Sequence, residues 1–365
     1  MKLLIFPKDA NPYQDLLYKQ LSGRIDAQYL HWSVRGRLGL LVFMPLLFGN
    51  LIIYRARGFR MIHIHWVYPL YAPKKLPFHS RVTNVQILAF FAALRILNYK
   101  IIWTVHNVVP QIPQTHDDER LMRILSKISS AKIVHSEHVI KDMDSHQLDI
   151  TNTTTIPHGN YIGTYPQTTT AIEARVKLGL RINEFIILFF GNVSAYKGLE
   201  DLLNVITEIN QPGLRLVIAG HCTDERLRHV INSAAKATNI DFHDGYVPDD
   251  VVQIYFQACD VVCLPFKAIT TSGSAILALS FGKPIVAPRL GALNDLPEGI
   301  GYFYDPEAAD ALEKAILAAI DNREGLRVMG ENASKYAASI SWDQVADSTY
   351  QVYKVVLGLQ ELHHE

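Results

Sequence analysis

Phosphate-binding chemistry is predicted at the end of a strand in residues 189–198, whose sequence is FFGNVSAYKG. Gly191 lets the backbone turn sharply where the strand ends, and Lys197 stands beside the start of a helix expected near Gly198. The free N–H groups and dipole of a helix amino terminus attract phosphate. An adjacent ammonium adds about 4 kcal/mol per charge pair at about 4 Å and an effective dielectric constant of about 20, before desolvation. Taken alone, this pattern is only weakly specific for phosphate binding. A second segment of the chain strengthens the prediction.

That second segment, residues 264–287, reads LPFKAITTSGSAILALSFGKPIVA and predicts a strand, a loop, a helix and another strand. Thr271, Ser272, Gly273 and Ser274 stand where the helix begins, so their amides and hydroxyls can cradle a pyrophosphate. In an open parallel sheet such a loop lies at the carboxyl edge, where ligands bind. The alternative is an ordinary serine-capped helix, which the segment by itself leaves open.

Short apolar runs alternate with amphipathic stretches along nearly the whole chain, which predicts an α/β fold built from βαβ units. The predicted strands are 2–6, 27–30, 61–65, 101–105, 132–135, 154–156, 185–190, 215–219, 240–243, 261–264 and 284–287. A chain of 365 residues suits two domains of about 150 residues each. We therefore predict doubly wound domains over 1–165 and 166–342, with a linker at 160–170. A last amphipathic helix, 343–365, is expected to join the first domain and to pack across both.

The order of several motifs resembles that of the family 4 glycosyltransferases. The motifs are the glycine–lysine segment at 191–198, IAG at 218–220, GYVP at 245–248, ACDV at 258–261, GKPIVA at 282–287, TVHN at 104–107, IPHG at 156–159 and SW at 341–342. The resemblance covers nearly the whole chain. It implies the GT-B architecture, two Rossmann-like domains facing a cleft, with a nucleotide sugar bound by the carboxy-terminal domain. It also implies an enzyme that needs no metal and no cofactor.

The resemblance assigns roles to individual residues. By position, Lys197 binds the donor diphosphate, and His106 matches the family's active-site histidine, which contacts the transferred sugar or the acceptor. The other donor-binding positions are Gly191, Asn192, Thr271, Ser272, Gly273 and Ser274. For His106 the alternative is a histidine that merely packs at a strand end.

Two departures from the family pattern limit what can be carried over. The family's Glu-x7-Glu pair, which contacts the donor sugar and the nucleotide ribose, is replaced by Ile269 and Leu277. The basic residue that usually follows the first-strand glycine is Asn192, so one phosphate contact is in doubt. Hydrogen bonds from the loop 271–274 are expected to compensate.

The resemblance implies a retaining reaction, in which the donor diphosphate itself takes the proton of the acceptor. An inverting reaction instead needs a base in the acceptor half. Asp9, one of three acids before residue 116, is then the leading candidate, and His106 is the other. Asn11, Tyr13 and Gln14 follow in the same loop and are predicted to contact the acceptor.

Charge is distributed unevenly along a chain of zero net formal charge. Residues 1–115 hold 14 of the 35 Lys and Arg but only 3 of the 35 Asp and Glu, which gives this segment +11 and the remainder −11. A basic half could face a polyprenyl-diphosphate-linked acceptor or an anionic membrane, where each Lys or Arg contributes about 1 kcal/mol. The alternative is a basic but solvated surface. Nucleic acid is disfavoured, because no recognition motif accompanies these residues.

The apolar run 38–54 is flanked by Arg35, Arg37, Arg55 and Arg57. It falls short of a comfortable membrane span and fits the helix between the second and third strands, with a membrane-dipping helix as the alternative. Cys222, Cys259 and Cys263 form no disulfide framework, which indicates a reducing cytoplasm. Cys259 and Cys263 flank an apolar strand and are expected to pack in the core, with a metal or redox role as the alternative. No signal peptide is evident. We expect a cytoplasmic protein, peripheral on the inner face of the plasma membrane.

The main functional prediction is a glycosyltransferase that moves a sugar from a UDP- or GDP-linked donor to a glycan or lipid-linked acceptor in cell-surface polysaccharide assembly. Two alternatives are a non-catalytic GT-B scaffold subunit and a sugar-nucleotide epimerase. The epimerase would need acids around the sugar, and the missing Glu pair counts against it. An NAD dehydrogenase is disfavoured because no Gly-x-Gly-x-x-Gly follows a strand.

Overall fold

The computed structural model describes residues 1–30, 39–76, 78–237 and 239–359. The chain divides into two compact units, Met1–Pro157 with Trp342–Glu365, and His158–Ser341. The sequence placed this boundary at 165/166. It lies earlier because Asn160 Nδ2 donates to the Ala337 carbonyl at 2.8 Å and the Tyr161 amide donates to Ser280 Oγ at 2.9 Å, which ties 160–161 to the second unit.

The first unit is a parallel six-stranded sheet in the order β2-β1-β3-β4-β5-β6. Its strands are β1 Lys2–Phe6, β2 Asp26–Tyr29, β3 Met61–Ile64, β4 Lys100–Thr104, β5 Ala131–Val134 and β6 Thr153–Thr155. Its helices are α1 Pro12–Gln20, α2 Gly39–Ala56, α3 His79–Ile96, α4 Asp118–Ile128, α5 Glu137–Ser145 and the last helix of the chain, Trp342–Val356.

Both faces of this sheet are covered, which explains why its inner strands are continuous apolar runs. Side chains alternate along β1, so Leu4 and Phe6 face the core formed with α2, α3 and α4, whereas Leu3 and Ile5 face α1 and the last helix. The last helix packs on α1 within this unit. Because β3, β4 and β5 are adjacent and parallel, their carboxyl ends meet at one edge of the sheet.

The second unit is also a parallel six-stranded sheet, in the order β12-β11-β10-β7-β8-β9. Its strands are β7 Phe185–Phe190, β8 Leu214–Gly220, β9 Ile240–Asp244, β10 Val261–Cys263, β11 Ile285–Pro288 and β12 Gly301–Tyr304. Its helices are α6 Ala171–Lys177, α7 Leu199–Ile209, α8 Glu225–Ala237, α9 Asp249–Ala258, α10 Gly273–Ser280, α11 Ala311–Asp321 and α12 Arg323–Ser339, and the helix Trp342–Val356 is α13. The three cysteines are buried and form no disulfide bonds. The burial of Cys259 and Cys263 agrees with the predicted packing in the core.

The apolar run 38–54 forms most of α2, which connects β2 to β3 as the sequence predicted. Arg35, Arg37 and Leu38 lie outside the described residues. Within the described part of the chain, the length and apolar character of every helix fall below what a membrane crossing requires.

Candidate functional site

The candidate donor site lies where the strand order of the second unit reverses. The chain enters the sheet at β7, extends through β8 and β9 on one side, and then crosses to β10 on the other. Ligands of open α/β sheets bind outside the carboxyl ends of the strands at such a switch point. The loop after β7 carries Gly191 and Lys197, and the loop after β10 leads into α10. The two segments singled out in the sequence therefore meet at the expected place.

Gly191 lies close to two of the other predicted donor residues, Lys197 and Ser274. Its φ is +107°, and a Cβ added there would lie 3.3 Å from Lys197 Nζ and 3.4 Å from Ser274 Oγ. The end of the neighbouring strand β8 also approaches Gly191 closely, since a Cβ on Gly220 would lie 1.9 Å from the Gly191 carbonyl oxygen. A side chain at position 191 would fill the space in front of the ammonium and the hydroxyl.

Lys197 is a buried cation, and the described part of the chain offers it no counter-ion. It ends a short 3-10 helix, Ala195–Lys197, and is 8% exposed. Its ammonium forms no hydrogen bond or ion pair with any residue that the structure describes, and the nearest aromatic ring, Phe266, is 5.8 Å away. Desolvation lowers the pKa of Lys197 to about 8. An uncompensated buried charge is costly, so the position favours an anionic ligand.

The amino terminus of α10 supplies hydrogen-bond donors beside this cation. Ser272 caps the helix, since its Oγ accepts from the Ala275 amide at 3.1 Å. The amides of Gly273 and Ser274 precede the first intrahelical bond and find no acceptor among the described residues. Ser272 is thus a cap, as the alternative interpretation held, while the two following amides are available to an anion.

The positions of the missing Glu pair offer no polar contact. Leu277 is buried in α10 and Ile269 is partly buried in the preceding loop. Tyr161, which the sequence analysis did not single out, lies close to the amino terminus of α10. A Cβ added to Gly273 would be 3.4 Å from the Tyr161 hydroxyl oxygen. Burial raises the pKa of Tyr161, which therefore stays a neutral phenol.

In the first unit His106 follows β4 and lies in a cluster of rings. Its Nε2 is 3.2 Å from His65 Nδ1, Trp66 stacks on its ring at 4.3 Å and 14°, and Tyr13 meets it edge-on at 5.0 Å. His135 lies 5.3 Å away, centroid to centroid. A signal for this cluster was present in the sequence, because His65, His106 and His135 each follow the last residues of adjacent parallel strands.

Asp9 lies in the loop between β1 and α1. Its Oδ1 accepts from the Asn11 amide at 2.7 Å, and its Oδ2 accepts from the Tyr68 hydroxyl at 2.7 Å. These bonds hold the carboxylate in one orientation. Each oxygen keeps a second lone pair, so a role as base is compatible with this geometry.

The three residues predicted to contact an acceptor differ in exposure. Gln14 is fully buried; its amide donates to the Pro7 carbonyl at 2.8 Å and accepts from the Asp9 amide at 3.0 Å. Tyr13 is buried against His106. We therefore reassign Gln14 and Tyr13 to shaping the loop and the histidine pocket. Asn11 is exposed and caps α1, with its Oδ1 accepting from the Tyr13 amide at 2.9 Å.

Comparison with known proteins relates this arrangement to glycosyltransferases. Residues 171–336 match the family model described as Glycosyl transferases group 1. A GDP-mannose:glycolipid 4-beta-D-mannosyltransferase from Xanthomonas campestris pv. campestris is 25% identical over 360 residues, which cover 96% of this chain and 90% of that protein. A D-inositol 3-phosphate glycosyltransferase from Segniliparus rotundus is 28% identical over 196 residues, which cover 50% of this chain and 43% of that protein.

Solved structures share the fold over nearly the full length. Sucrose-phosphate synthase from Thermosynechococcus elongatus superimposes with a TM-score of 0.79 at 17% identity, covering 98% of this chain and 99% of that one. HepE from Anabaena in complex with UDP-glucose has a TM-score of 0.76 at 15% identity, covering 98% and 100%. The two sheets thus form a GT-B fold, and the chain is a transferase enzyme. Specifically, it is a glycosyltransferase whose residues 171–336 match the model of the group 1 family.

The buried histidines predict an unusual sensitivity to mild acid. Burial lowers the pKa of His63 to about 3 and that of His135 to about 4. The folded protein keeps both neutral, while the unfolded chain binds protons below about pH 6.5. The free energy of unfolding should therefore fall as the pH decreases from about 6.5 towards about 4, by up to about 1.4 kcal/mol per pH unit for each histidine.

Urea unfolding at several pH values measures this slope. His63→Asn and His135→Asn should each make it shallower, whereas His116→Asn, which changes an exposed histidine of the same unit, should leave it unchanged. A free energy that stays constant over the same pH window would contradict the prediction.

Proposed function

We propose that this glycosyltransferase moves a sugar from a nucleotide diphosphate sugar to a lipid-linked glycan acceptor in cell-surface polysaccharide assembly. One observation carries the donor half of the proposal. The buried ammonium of Lys197 has no counter-ion among the described residues, and like Ser274 Oγ it lies within 3.4 Å of where a Cβ on Gly191 would be. Ser274 also begins α10, where the Gly273 and Ser274 amides have no acceptor among the described residues. A diphosphate has the charge and the oxygens to satisfy all of these groups.

The same groups would act on the leaving group of the reaction. When the glycosidic bond of the donor breaks, negative charge grows on the nucleotide diphosphate. Donors that are already oriented and desolvated stabilise such charge without reorganisation. Lys197 would supply the cation and the Gly273 and Ser274 amides the hydrogen bonds. We accordingly propose transfer without a metal or cofactor.

The relatives suggest which donor to test first. The Xanthomonas relative, aligned over nearly its full length, is named for GDP-mannose and a glycolipid, and the structure of HepE contains UDP-glucose. We propose GDP-mannose as the first donor and a polyprenyl-diphosphate-linked oligosaccharide as the acceptor.

Two stereochemical versions stay open in the proposal. Retention follows from the family resemblance. The word "beta" in the name of the Xanthomonas relative favours testing inversion as well. Asp9, which Tyr68 and Asn11 hold in place, would be the base of an inverting reaction, with His106 the other candidate.

The purified chain should transfer mannose or glucose from a GDP- or UDP-linked donor to a synthetic lipid diphosphate acceptor. NMR of the product determines the anomeric configuration, and Asp9→Asn should abolish transfer only in the inverting version. A chain that binds the nucleotide but transfers no sugar with any donor would support the scaffold alternative. Interconversion of sugar nucleotides without an acceptor would support the epimerase.

Removing the ammonium should weaken nucleotide binding. Lys197→Ala is expected to raise the Kd for UDP or GDP by about 10- to 100-fold, since a charge-assisted hydrogen bond contributes about 1.5–3 kcal/mol. The matched control is Lys267→Ala, which removes an exposed lysine of the neighbouring loop that pairs with Asp201 at 2.9 Å. Isothermal titration calorimetry measures both, and equal effects of the two substitutions would count against the site.

The pH dependence of binding provides a second readout. Because the pKa of Lys197 is lowered to about 8, the empty site loses its charge as the pH rises through that value. An anion binds the charged form, so the Kd should increase by up to about tenfold per unit between about pH 7.5 and 9.5. Lys197→Arg should flatten this dependence, because a guanidinium stays charged. A flat wild-type profile would rule out the ammonium as the contact.

A membrane partner is proposed for the face formed by α2 and α3. These helices pack together and expose large apolar side chains: Leu46, Ile52, Ile53, Val85, Leu88 and Ile96. Exposed basic residues on or near the same helices are Arg57, Arg60, Arg81 and Arg95. Apolar side chains flanked by cations suit the interface of an anionic bilayer. We propose that this face contacts the inner leaflet of the plasma membrane.

Replacing Ile52 and Ile53 together by Ser should lower binding to phosphatidylglycerol-containing vesicles at least about tenfold, because each buried isoleucine contributes about 1.5–3 kcal/mol. The control replaces Ile172 and Val176 by Ser, two exposed apolar residues on α6 of the other unit. Cosedimentation measures binding. Equal loss in both variants, or no loss in either, would exclude this face.

A further inference from the structure

A chain of hydrogen bonds runs from His106 into the interior of the first unit. His106 Nε2 is 3.2 Å from His65 Nδ1, and His65 Nε2 is 2.9 Å from the Tyr18 hydroxyl. The same hydroxyl is 3.0 Å from His63 Nδ1. His63 continues the chain, with Nδ1 2.7 Å from the Tyr353 hydroxyl and Nε2 2.7 Å from Thr104 Oγ1.

Three elements build this chain from distant parts of the sequence. His63 and His65 are two residues apart at β3, so their side chains leave the same face of the sheet. Tyr18 comes from α1 and Tyr353 from α13, and these helices cover that face. His63, His65 and Tyr353 are at most 1% exposed. These three residues are therefore shielded from water, whereas Tyr18 is partly buried.

The titratable groups that face this chain favour its neutral form. They are His106 after β4, His135 after β5, Tyr13 on α1 and Tyr353 on α13. Burial, followed by the neighbouring histidines, lowers the pKa of His65 well below its ordinary value, and burial raises the pKa of Tyr18. His65 is thus a neutral imidazole and Tyr18 a neutral phenol.

Neutrality imposes a rule on proton positions. A neutral imidazole has one N–H donor and one acceptor nitrogen. If the Tyr18 hydroxyl donates to His65 Nε2, then His65 Nδ1 must donate to His106 Nε2, and a neutral His106 carries its proton on Nδ1. If His65 Nε2 instead donates to Tyr18, His106 must donate from Nε2. In either direction, the tautomer of His106 is coupled to the orientation of the Tyr18 hydroxyl.

We propose that Tyr18 and His65 are positioning residues, which hold the imidazole of His106 in a single tautomer. The proposal rests on the function above, in which His106 serves the acceptor or the transferred sugar. Trp66 stacked on one face and Tyr13 at the edge restrict rotation of the ring. The ring is therefore fixed by packing, and its proton is fixed by the hydrogen-bonded chain.

The substitution Tyr18→Phe tests this with the loss of one oxygen atom. Its matched control is Tyr29→Phe, since Tyr29 lies beside Tyr18 with ring centroids 6.5 Å apart, and its hydroxyl interacts with Asp15 rather than with the histidines. Tyr18→Phe should lower kcat about 10- to 100-fold, as loss of an outer partner of a functional histidine typically does. The KM for the nucleotide sugar should stay constant, because Tyr18 is not a donor-binding residue.

NMR of protein with ¹⁵N-labelled histidine provides a readout that needs no substrate. The wild type and Tyr29→Phe should show His106 in one tautomer between about pH 8 and 9, and Tyr18→Phe should show a mixture of tautomers. A mixture in the wild type, or a single unchanged tautomer in Tyr18→Phe, would overturn the proposal. Failure of the chain to transfer sugar would leave this NMR result intact, so the two proposals fail separately.

Discussion

The buried ammonium of Lys197 is the interaction on which the account depends. Placing a charge out of water is costly unless a partner compensates it, and the lowered pKa of this lysine reflects that cost. A core position would be filled by a neutral residue or paired with a carboxylate. Gly191 and Ser274 Oγ lie near it instead, and the Gly273 and Ser274 amides at the start of α10 have no acceptor among the described residues. We propose that a bound anion balances the charge, since no described residue is paired with it.

Sheet topology explains why the functional residues of each unit collect at one edge. In both units all paired strands are parallel, so their carboxyl ends and following loops lie together. The second unit places Lys197 and α10 at its strand-order switch. The first unit places His65, His106 and His135 after three adjacent strands. Each cluster combines segments that are far apart in sequence, which a packed sheet holds at fixed distances.

Much of this could be predicted from sequence, because buried parallel strands are continuous apolar runs and each phosphate-binding segment has a local signature. The strand β12, Gly301–Tyr304, was not predicted, since one glycine and three aromatic residues form no long apolar run. The burial of Gln14 and the link from His63 to Tyr353, 290 residues away, depend on tertiary packing. The observed domain boundary differs from the predicted one for the same reason, because Asn160 and Tyr161 form hydrogen bonds with distant residues of the second unit.

A crystal structure with bound GDP or UDP tests the central claim most directly. The account predicts diphosphate oxygens within about 3 Å of Lys197 Nζ and of the Gly273 and Ser274 amides, the length of an ordinary hydrogen bond. A nucleotide bound elsewhere, with the Lys197 ammonium still lacking an anionic partner, would contradict it.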